Sequence, residues 1–340
     1  MARTSRPFDA VLLISFGGPG GLDEIRPFLR NVLRGRKIPQ SRIDAVAKHY
    51  ELFDGVSPLT AITRRQADGL ATRLDDNGFN LPVFIGMRNW HPFLDDTLSK
   101  IAAAGIARIL AVILAPQHSY SSCGQYRQNV VDARETLVAR GEVDVEVTYV
   151  GDWHTHPGFI AANAAHIMEA LRRLPDSVRH DAQIIFTAHS IPTAMAEFCR
   201  YETELQESAR AVAAKLVTDD WSLVYQSRSG RPDDPWLGPD ICDYLRAQCR
   251  RGLKAAVIAP IGFVADHIEV LYDLDIEAAA VCEDLSLPMQ RAAAVNDHPA
   301  FLDALADITC DAHLQAKSGR LLPIVPIQTG ERMEGPPRIR

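Results

Sequence analysis

Residues 183–192 read QIIFTAHSIP, a short apolar run that passes into polar residues and ends at proline. The same design recurs at residues 10–18 (AVLLISFGG), 109–118 (ILAVILAPQH) and 255–262 (AAVIAPIG). Apolar runs of this length, bounded by turn residues, indicate strands that are buried on both faces. Such strands are typical of parallel sheets that helices cover on both sides. The repeated run therefore predicts an α/β fold.

Amphipathic stretches separate the apolar runs along the chain. The predicted strands are Ala10–Ser15, Val83–Met87, Ile109–Leu114, Val145–Val150, Gln183–Thr187, Ser222–Gln226 and Ala255–Pro260. The predicted helices are Leu22–Leu33, Ala61–Asn77, Phe93–Ala104, Gln125–Arg140, Ile160–Leu174, Thr203–Leu216, Ile241–Arg251 and His267–Val281. Because 340 residues exceed what one core usually holds, we expect two doubly wound lobes, residues 1–150 and 151–297, with a cleft between them. A helix near 298–316 should pack back on the first lobe, and residues 323–340 should form a mobile tail.

Charge and cysteine usage exclude several classes of protein. The net charge of −7 argues against nucleic acid as a partner, because phosphate binding requires a basic surface. No run approaches the ~18 consecutive apolar residues of a transmembrane helix, and the N-terminal run is too short for a secretory signal. The six cysteines are dispersed and form no C-x-x-C pair, so zinc ribbons and thioredoxin-type motifs are unsupported. We therefore expect a cytoplasmic enzyme.

Two segments after predicted strands carry side chains suited to catalysis. His189 follows one strand, and Glu269 comes shortly after another. Ligands of open α/β sheets bind beyond the carboxyl ends of the strands, so both side chains should face one cleft if the two strands are neighbours. An imidazole with a carboxylate can bind a divalent transition metal, accept protons, or do both. For His189 taken alone, a capping or core role is the alternative.

A row of acidic residues continues from Glu269. Asp273 and Glu277 follow at i+4 and i+8, on one face of the predicted helix, and Asp266 precedes them by one turn. Like charges at this spacing destabilise a helix, so the row indicates a path for protons that leave the cleft or for metal that enters it. The alternative is a solvated helix face.

The glycine-rich segment 16–21 reads FGGPGG. Pro19 interrupts the G-x-G-x-x-G pattern, so we reject a dinucleotide site. Glycine here lets the backbone approach a flat ligand. Arginine forks and phenolic hydroxyls elsewhere in the sequence suit carboxylate groups on such a ligand, although a solvated basic helix end is the alternative for the basic cluster. The candidate ligand-binding residues are Arg34, Arg36, Tyr50, Ser57, Arg88 and Tyr126.

Together these segments resemble the ferrochelatase family over nearly the whole chain. The most specific segment is residues 186–192 (FTAHSIP), which is similar to the catalytic-histidine motif of the family. Residues 263–272 (FVADHIEVLY) resemble its catalytic-glutamate segment. The order and spacing of the supporting stretches agree, and these are residues 13–19, 50–59, 114–116 and 296–299.

The resemblance implies two Rossmann-like lobes around a porphyrin cleft, with ferrous iron and a porphyrin as substrates. His189 would accept pyrrole protons or bind iron, Glu269 would be its partner, and Asp273 and Glu277 would continue an acidic relay. Residues 15–19 and 26–36 look like the branch that metallates coproporphyrin III, whose four propionates suit the basic cluster; protoporphyrin IX is the alternative substrate. Phe16, also expected to contact the porphyrin, stands where some members carry a tyrosine facing the iron. We expect this chain to be a monomer that makes at most transient contact with neighbouring enzymes of the heme pathway.

Some family members hold a [2Fe–2S] cluster on four cysteines, and Cys123 could be taken for the isolated ligand. The closely spaced trio near the C-terminus is missing, because no cysteine follows Cys310. A cluster here would have to recruit scattered thiolates. Two further alternatives remain open: a cobalt or nickel chelatase of a related tetrapyrrole, and a two-lobed protein that carries heme or a small anion without catalysis.

Overall fold

The computed structural model describes residues 7–35, 38–229 and 233–319. The predicted tail, residues 323–340, and the candidate residue Arg36 lie outside this part of the chain. The strands within it are β1 (Ala10–Ser15), β2 (Val83–Met87), β3 (Arg108–Ile113), β4 (Glu146–Tyr149), β5 (Ala182–His189), β6 (Trp221–Gln226), β7 (Ala255–Ala259) and β8 (Met289–Arg291).

The strands form two four-stranded sheets in which neighbouring strands run parallel. The sheet of the first lobe has the order β2-β1-β3-β4, and that of the second lobe has the order β6-β5-β7-β8. In each sheet the strand that comes first in sequence has a neighbour on both sides, and the strand that comes second in sequence forms one edge of the sheet. The predicted α/β fold with two parallel sheets is confirmed.

Helices connect the strands. They are α1 (Ile25–Val32), α2 (Gln40–Glu51), α3 (Leu59–Asp76), α4 (Leu94–Ala103), α5 (Gln125–Ala139), α6 (Pro157–Arg173), α7 (Asp176–Arg179), α8 (Thr193–Ala196), α9 (Tyr201–Leu216), α10 (Ile241–Cys249), α11 (Ile268–Val270), α12 (Ala279–Asp284) and α13 (Pro299–Lys317). Two further segments, Tyr120–Gly124 and Leu271–Ala278, are π-helical.

Several elements escaped the sequence prediction: strand β8, helix α2, the short helices α7 and α8, and the π-helical segment Tyr120–Gly124. Strand β8 has three residues, all half-buried, and carries no apolar run. Helix α2 buries only Ala47, so its sequence shows little apolar periodicity. Both elements depend on neighbours for their conformation, because neither buries enough apolar surface to be specified locally.

The two lobes join through a buried apolar interface around α6 and α13. Phe159 and Phe301 are fully buried and pack with Trp153, with ring centroids 5.6–6.1 Å apart. Gly158 lets the two helices approach closely, because a Cβ atom there would lie 2.3 Å from the Ala300 carbonyl oxygen. Helix α13 also packs on α3 of the first lobe. The C-terminal helix therefore contacts both lobes.

Polar contacts bring the carboxyl ends of strands from both sheets together. Gln117, which follows β3, donates to the carbonyl of Ile261, which follows β7, at 3.4 Å. Gln66 of α3 donates to the carbonyls of Val264 and Asn296 at 3.1 and 2.8 Å. The segments after β3 and β7 thus meet at the junction between the lobes. No helix in the described ranges is long and apolar enough to cross a membrane.

Candidate active site

His189 and Glu269 lie side by side at the junction between the lobes. His189 is the last residue of β5, and Glu269 lies in the first turn of the helix that follows β7. Since β5 and β7 are hydrogen-bonded neighbours, both side chains reach the same edge of the sheet. His189 Nε2 is 3.3 Å from Glu269 Oε1, and the side chains remain 33% and 42% exposed. The pair is therefore formed in the free protein and is accessible to a substrate.

Two hydrogen bonds orient His189. Its Nδ1 contacts the carbonyl oxygen of Ser190, so Nδ1 carries a proton and Nε2 faces Glu269. The Tyr201 hydroxyl donates to the His189 carbonyl oxygen at 3.0 Å. Burial disfavours the imidazolium, but the charge of Glu269 and the hydrogen bonds to Glu269 and Ser190 outweigh burial and raise the pKa of His189 to about 9. At neutral pH the free site therefore holds a charged imidazolium.

Glu269 is the ionised partner of this pair. Burial raises its pKa, but the charge of His189 and hydrogen bonds from His189 and Ser227 outweigh burial and leave the pKa of Glu269 well below its ordinary value. His267 begins the helix as its N-cap, with Nδ1 accepting from the Val270 amide at 3.3 Å. Glu269 is thus the ionised member of the pair at neutral pH.

Asp273 extends the site along the π-helical segment Leu271–Ala278. Gln226 Nε2 donates to Asp273 Oδ2 at 3.1 Å, and the Ser227 hydroxyl donates to the same oxygen. Burial and the charge of Glu269 raise the pKa of Asp273 to about 7, although both donors oppose the rise. Asp273 can therefore take up or release a proton near neutral pH. π-Helical segments are rare in proteins, and those that do occur are often found at functional sites.

Glu277 lies at the exposed end of the same segment. Burial and the charge of Asp240 raise its pKa, while a hydrogen bond from Tyr272 opposes the rise. The Tyr272 ring stacks on His49 of α2, with centroids 3.6 Å apart and planes inclined by 10°. A helix of the first lobe therefore contacts the π-helical segment that carries Asp273 and Glu277.

Asp266 does not share the environment expected for a member of the acidic row. Its Oδ1 accepts from Arg291 Nη1 at 2.8 Å and from the Ala294 amide at 3.1 Å, and its Oδ2 accepts from Asn296 Nδ2 at 2.8 Å. The Asp266 side chain is 14% exposed. These bonds tie the loop before the helix to the segment after β8, so the contacts of Asp266 are those of an anchor for the loop rather than of a residue on a proton path.

Three candidate ligand-binding residues gather beside β1. The Arg88 guanidinium carbon lies 6.0 Å from the centre of the Phe16 ring and 5.9 Å from the centre of the Tyr126 ring. Ser57 packs against the glycine-rich segment, because a Cβ atom on Gly18 would lie 2.5 Å from Ser57 Cβ. Gly18 thus lets the backbone pack closely on Ser57, and the expected approach of this segment to a flat ligand stays a prediction.

Tyr50 and Arg34 belong to the same lobe but differ in their surroundings. Tyr50 packs on Phe28 with ring centroids 5.6 Å apart. Burial raises the pKa of Tyr50, and the charge of Glu269 raises it further. Arg34 is exposed and donates to Asn31 Oδ1 at 3.0 Å.

The protein-family model for ferrochelatase matches residues 8–313. The chain belongs to the ferrochelatase family. It is 45% identical over 316 residues to the ferrochelatase of Rhodopirellula baltica, a match that covers 93% of this chain and 88% of the relative. It is 43% identical over 320 residues to the coproporphyrin III ferrochelatase of Streptomyces coelicolor, covering 90% of this chain and 85% of the relative.

A solved structure agrees with this ferrochelatase in fold. SirB from Bacillus subtilis, solved with Fe³⁺, matches with a TM-score of 0.56 at 10% identity and covers 91% of this chain and 97% of its own. At that identity the likeness concerns architecture alone. Family membership makes the chain an enzyme, a lyase that inserts Fe²⁺ into a porphyrin, rather than a carrier of heme or of a small anion.

The cysteines of this ferrochelatase give no support to an iron–sulfur cluster. All six are free, and Cys123 Sγ donates to the Ser119 carbonyl oxygen at 3.5 Å. Burial raises the pKa of the Cys123 thiol. Within residues 7–35, 38–229 and 233–319, three potential metal-binding side chains come together: His118, Asp152 and Glu204. None of the three is a cysteine.

Sequence reasoning missed four contributors to this site: Gln226, Ser227, Tyr201 and His49. Gln226 is the last residue of β6 and pairs with His189 in the sheet. Gln226 and Ser227 stand at the carboxyl end of a predicted strand, so their position is the signal that marks them as candidates. Tyr201 and His49 lie on helices and reach the site only through tertiary packing, so no local pattern marks them.

Proposed function

We propose that this ferrochelatase inserts Fe²⁺ into coproporphyrin III, giving Fe-coproporphyrin III in heme biosynthesis. The observation that carries the proposal is the accessible His189–Glu269 pair, with 3.3 Å between Nε2 and Oε1. Coproporphyrin III as the substrate is supported by relatives named coproporphyrin III ferrochelatase at 40–43% identity. Protoporphyrin IX is the second candidate substrate.

Metal insertion removes two pyrrole protons from the porphyrin while Fe²⁺ enters. In our proposal the Glu269 carboxylate accepts the first proton, since it is the ionised member of the pair. Once Glu269 is neutral, the charge that held His189 protonated is lost, and His189 releases its proton. Its Nε2 lone pair can then bind iron or accept the second pyrrole proton.

The acidic row receives the protons that leave the pair. Asp273 is the next acceptor, because burial and Glu269 raise its pKa to about 7. Glu277 follows at the exposed end of the π-helical segment. Asp266 keeps a place in this scheme only as the anchor of the loop that carries Glu269.

The porphyrin is held by the first lobe. Arg88, Tyr126 and Phe16 lie together, and Ser57 packs on the glycine-rich segment beside them. Arg34 and Arg36 supply further positive charge for propionates, and Tyr50 lies near Glu269. Because arginine pairs with carboxylates through two parallel hydrogen bonds, four propionates bind this surface better than two.

The test compares turnover of coproporphyrin III and of protoporphyrin IX with Fe²⁺ under anaerobic conditions, and records the absorption spectrum of each product. We expect faster turnover of coproporphyrin III and its loss in His189→Ala with porphyrin binding retained. Faster turnover of protoporphyrin IX would reject the substrate assignment. Unchanged turnover in His189→Ala would reject the proposed site.

We also propose that the chain is a monomer, that it acts in the cytoplasm, and that it makes transient contact with neighbouring enzymes of the heme pathway. Light scattering during gel filtration measures the mass of the purified chain in solution. A mass of about twice 37.5 kDa would reject the monomer.

A further inference from the structure

Ser227 adopts a backbone conformation that serine rarely takes. It follows the last residue of β6 and has a φ of 61°, in the left-handed region that favours glycine. A side chain at such a position costs free energy relative to glycine, so we asked which contacts the Ser227 side chain makes there.

The Ser227 hydroxyl lies between the two carboxylates of the site. It donates to Asp273 Oδ2, and it also helps to lower the pKa of the neighbouring Glu269 carboxyl. Gln226, the preceding residue, is 1% exposed and donates to the same Asp273 oxygen at 3.1 Å. The Gln226 carbonyl accepts from the Ser190 amide at 2.8 Å, next to His189. One dipeptide at the end of β6 thus contacts all three elements that carry the site.

We propose that Ser227 is a positioning residue for iron insertion, whose hydroxyl holds the carboxylates of Glu269 and Asp273 together beside His189. The inference rests on the proposed function and extends it to a residue outside the predicted site. Two nearby carboxylates repel each other, and a shared hydroxyl offsets that repulsion because it is a donor to one of them at any moment. The left-handed backbone aims the hydroxyl into this gap.

If Ser227 has this role, a substitution that removes its hydroxyl should lower the rate of iron insertion without lowering the stability of the protein. Ser227→Gly removes the hydroxyl but suits a φ of 61°, so it should not lower the thermal midpoint. We expect kcat for iron insertion to fall by about 10- to 100-fold, the range seen when residues that orient metal-binding groups are lost. The KM for porphyrin should stay unchanged, because the hydroxyl that is removed bonds to Asp273, whereas the candidate propionate-binding arginines belong to the first lobe.

Ser286→Gly is the matched control. Ser286 also has a positive φ, 51°, but it is exposed and precedes β8, at the opposite end of the sheet from His189. The same substitution there should leave kcat unchanged. Ser227→Asn tests rescue, because asparagine tolerates the left-handed conformation and carries an amide donor for a carboxylate.

The experiment measures anaerobic Fe²⁺ insertion and thermal midpoints for Ser227→Gly, Ser227→Asn, Ser286→Gly and His189→Ala. A slow but stable Ser227→Gly, with kcat partly restored in Ser227→Asn, supports the inference. A normal kcat in Ser227→Gly, a loss that parallels unfolding, or no restoration in Ser227→Asn overturns it. If His189→Ala is inactive while Ser227→Gly is normal, only the role of Ser227 fails; if His189→Ala is also active, the proposed function of the site fails.

Discussion

Replacing Glu269 by glutamine should change the protonation state of His189. Glu269 is the main group that raises the pKa of His189 to about 9, against the opposing effect of burial. Without that charge, burial is opposed only by the hydrogen bond to Ser190 and by the charge of Asp273, and the pKa should fall to about the ordinary value of 6.5. At pH 7.5 His189 would change from more than about nine-tenths protonated to about one-tenth protonated or less.

The measurement is an NMR titration of histidine-labelled protein, with the His189 signal assigned from its absence in His189→Ala. We expect a midpoint near 9 in the parent protein and at least about two pH units lower in Glu269→Gln. Glutamine is matched in shape, so the loss of charge is the main change. An unchanged midpoint in the variant would refute the reasoning that the carboxylate controls the imidazole.

The same linkage has a consequence for stability. Because the folded-state pKa of His189 is raised, its contribution is fully present below the unfolded value of about 6.5 and is lost as pH rises towards 9. Glu269→Gln should therefore flatten the dependence of the thermal midpoint on pH in this window. A parallel decline in both proteins would assign the pH dependence to other groups.

Three further predictions concern the acidic row, the lobe junction and the cysteines. Asp273→Asn should be more stable than the parent protein above pH 7, because it removes a carboxylate whose raised pKa disfavours folding at high pH. The same variant should insert iron more slowly. A variant less stable than the parent protein at pH 8 in thermal denaturation would contradict the stability prediction. Gly158→Ala should destabilise the protein by about 1–2 kcal/mol in denaturant titration, because the new Cβ would meet the Ala300 carbonyl at 2.3 Å and the overpacking exceeds the gain in helix propensity; equal or higher stability would show that α6 and α13 can move apart. Cys123→Ser should keep full iron insertion, and cluster absorbance that is present in the anaerobically purified parent and lost in this variant would contradict the absence of an iron–sulfur cluster.

Local sequence was sufficient for the sheets and for the central pair. The apolar runs that end in polar residues predicted seven of the eight strands, because a strand buried on both faces must be apolar along its whole length. His189 and Glu269 were selected because residues at the carboxyl ends of parallel strands meet at one edge. The register of β5 with β7 then brings them to 3.3 Å.

Contacts between residues far apart in sequence lie beyond local patterns. The predicted place of Asp266 on the acidic row stays a prediction, and its carboxylate binds Arg291 and Asn296, which are 25 and 30 positions away in the chain. The π-helical winding of Leu271–Ala278 has no signature in apolar periodicity. Ser227 was overlooked because its importance depends on a left-handed backbone and on two carboxylates from another element.

The chain sequence by itself determined the parallel α/β architecture, the choice of His189 and Glu269 as candidates, and the resemblance to ferrochelatases, since each follows from short local motifs. Tertiary structure alone decided which groups share charge and hydrogen bonds: the partner of each carboxylate, the protonation of His189, and the helix that stacks on Tyr272. Those properties depend on distances of a few ångströms between residues far apart in the chain, and hydrogen-bond and burial energies vary steeply over such distances.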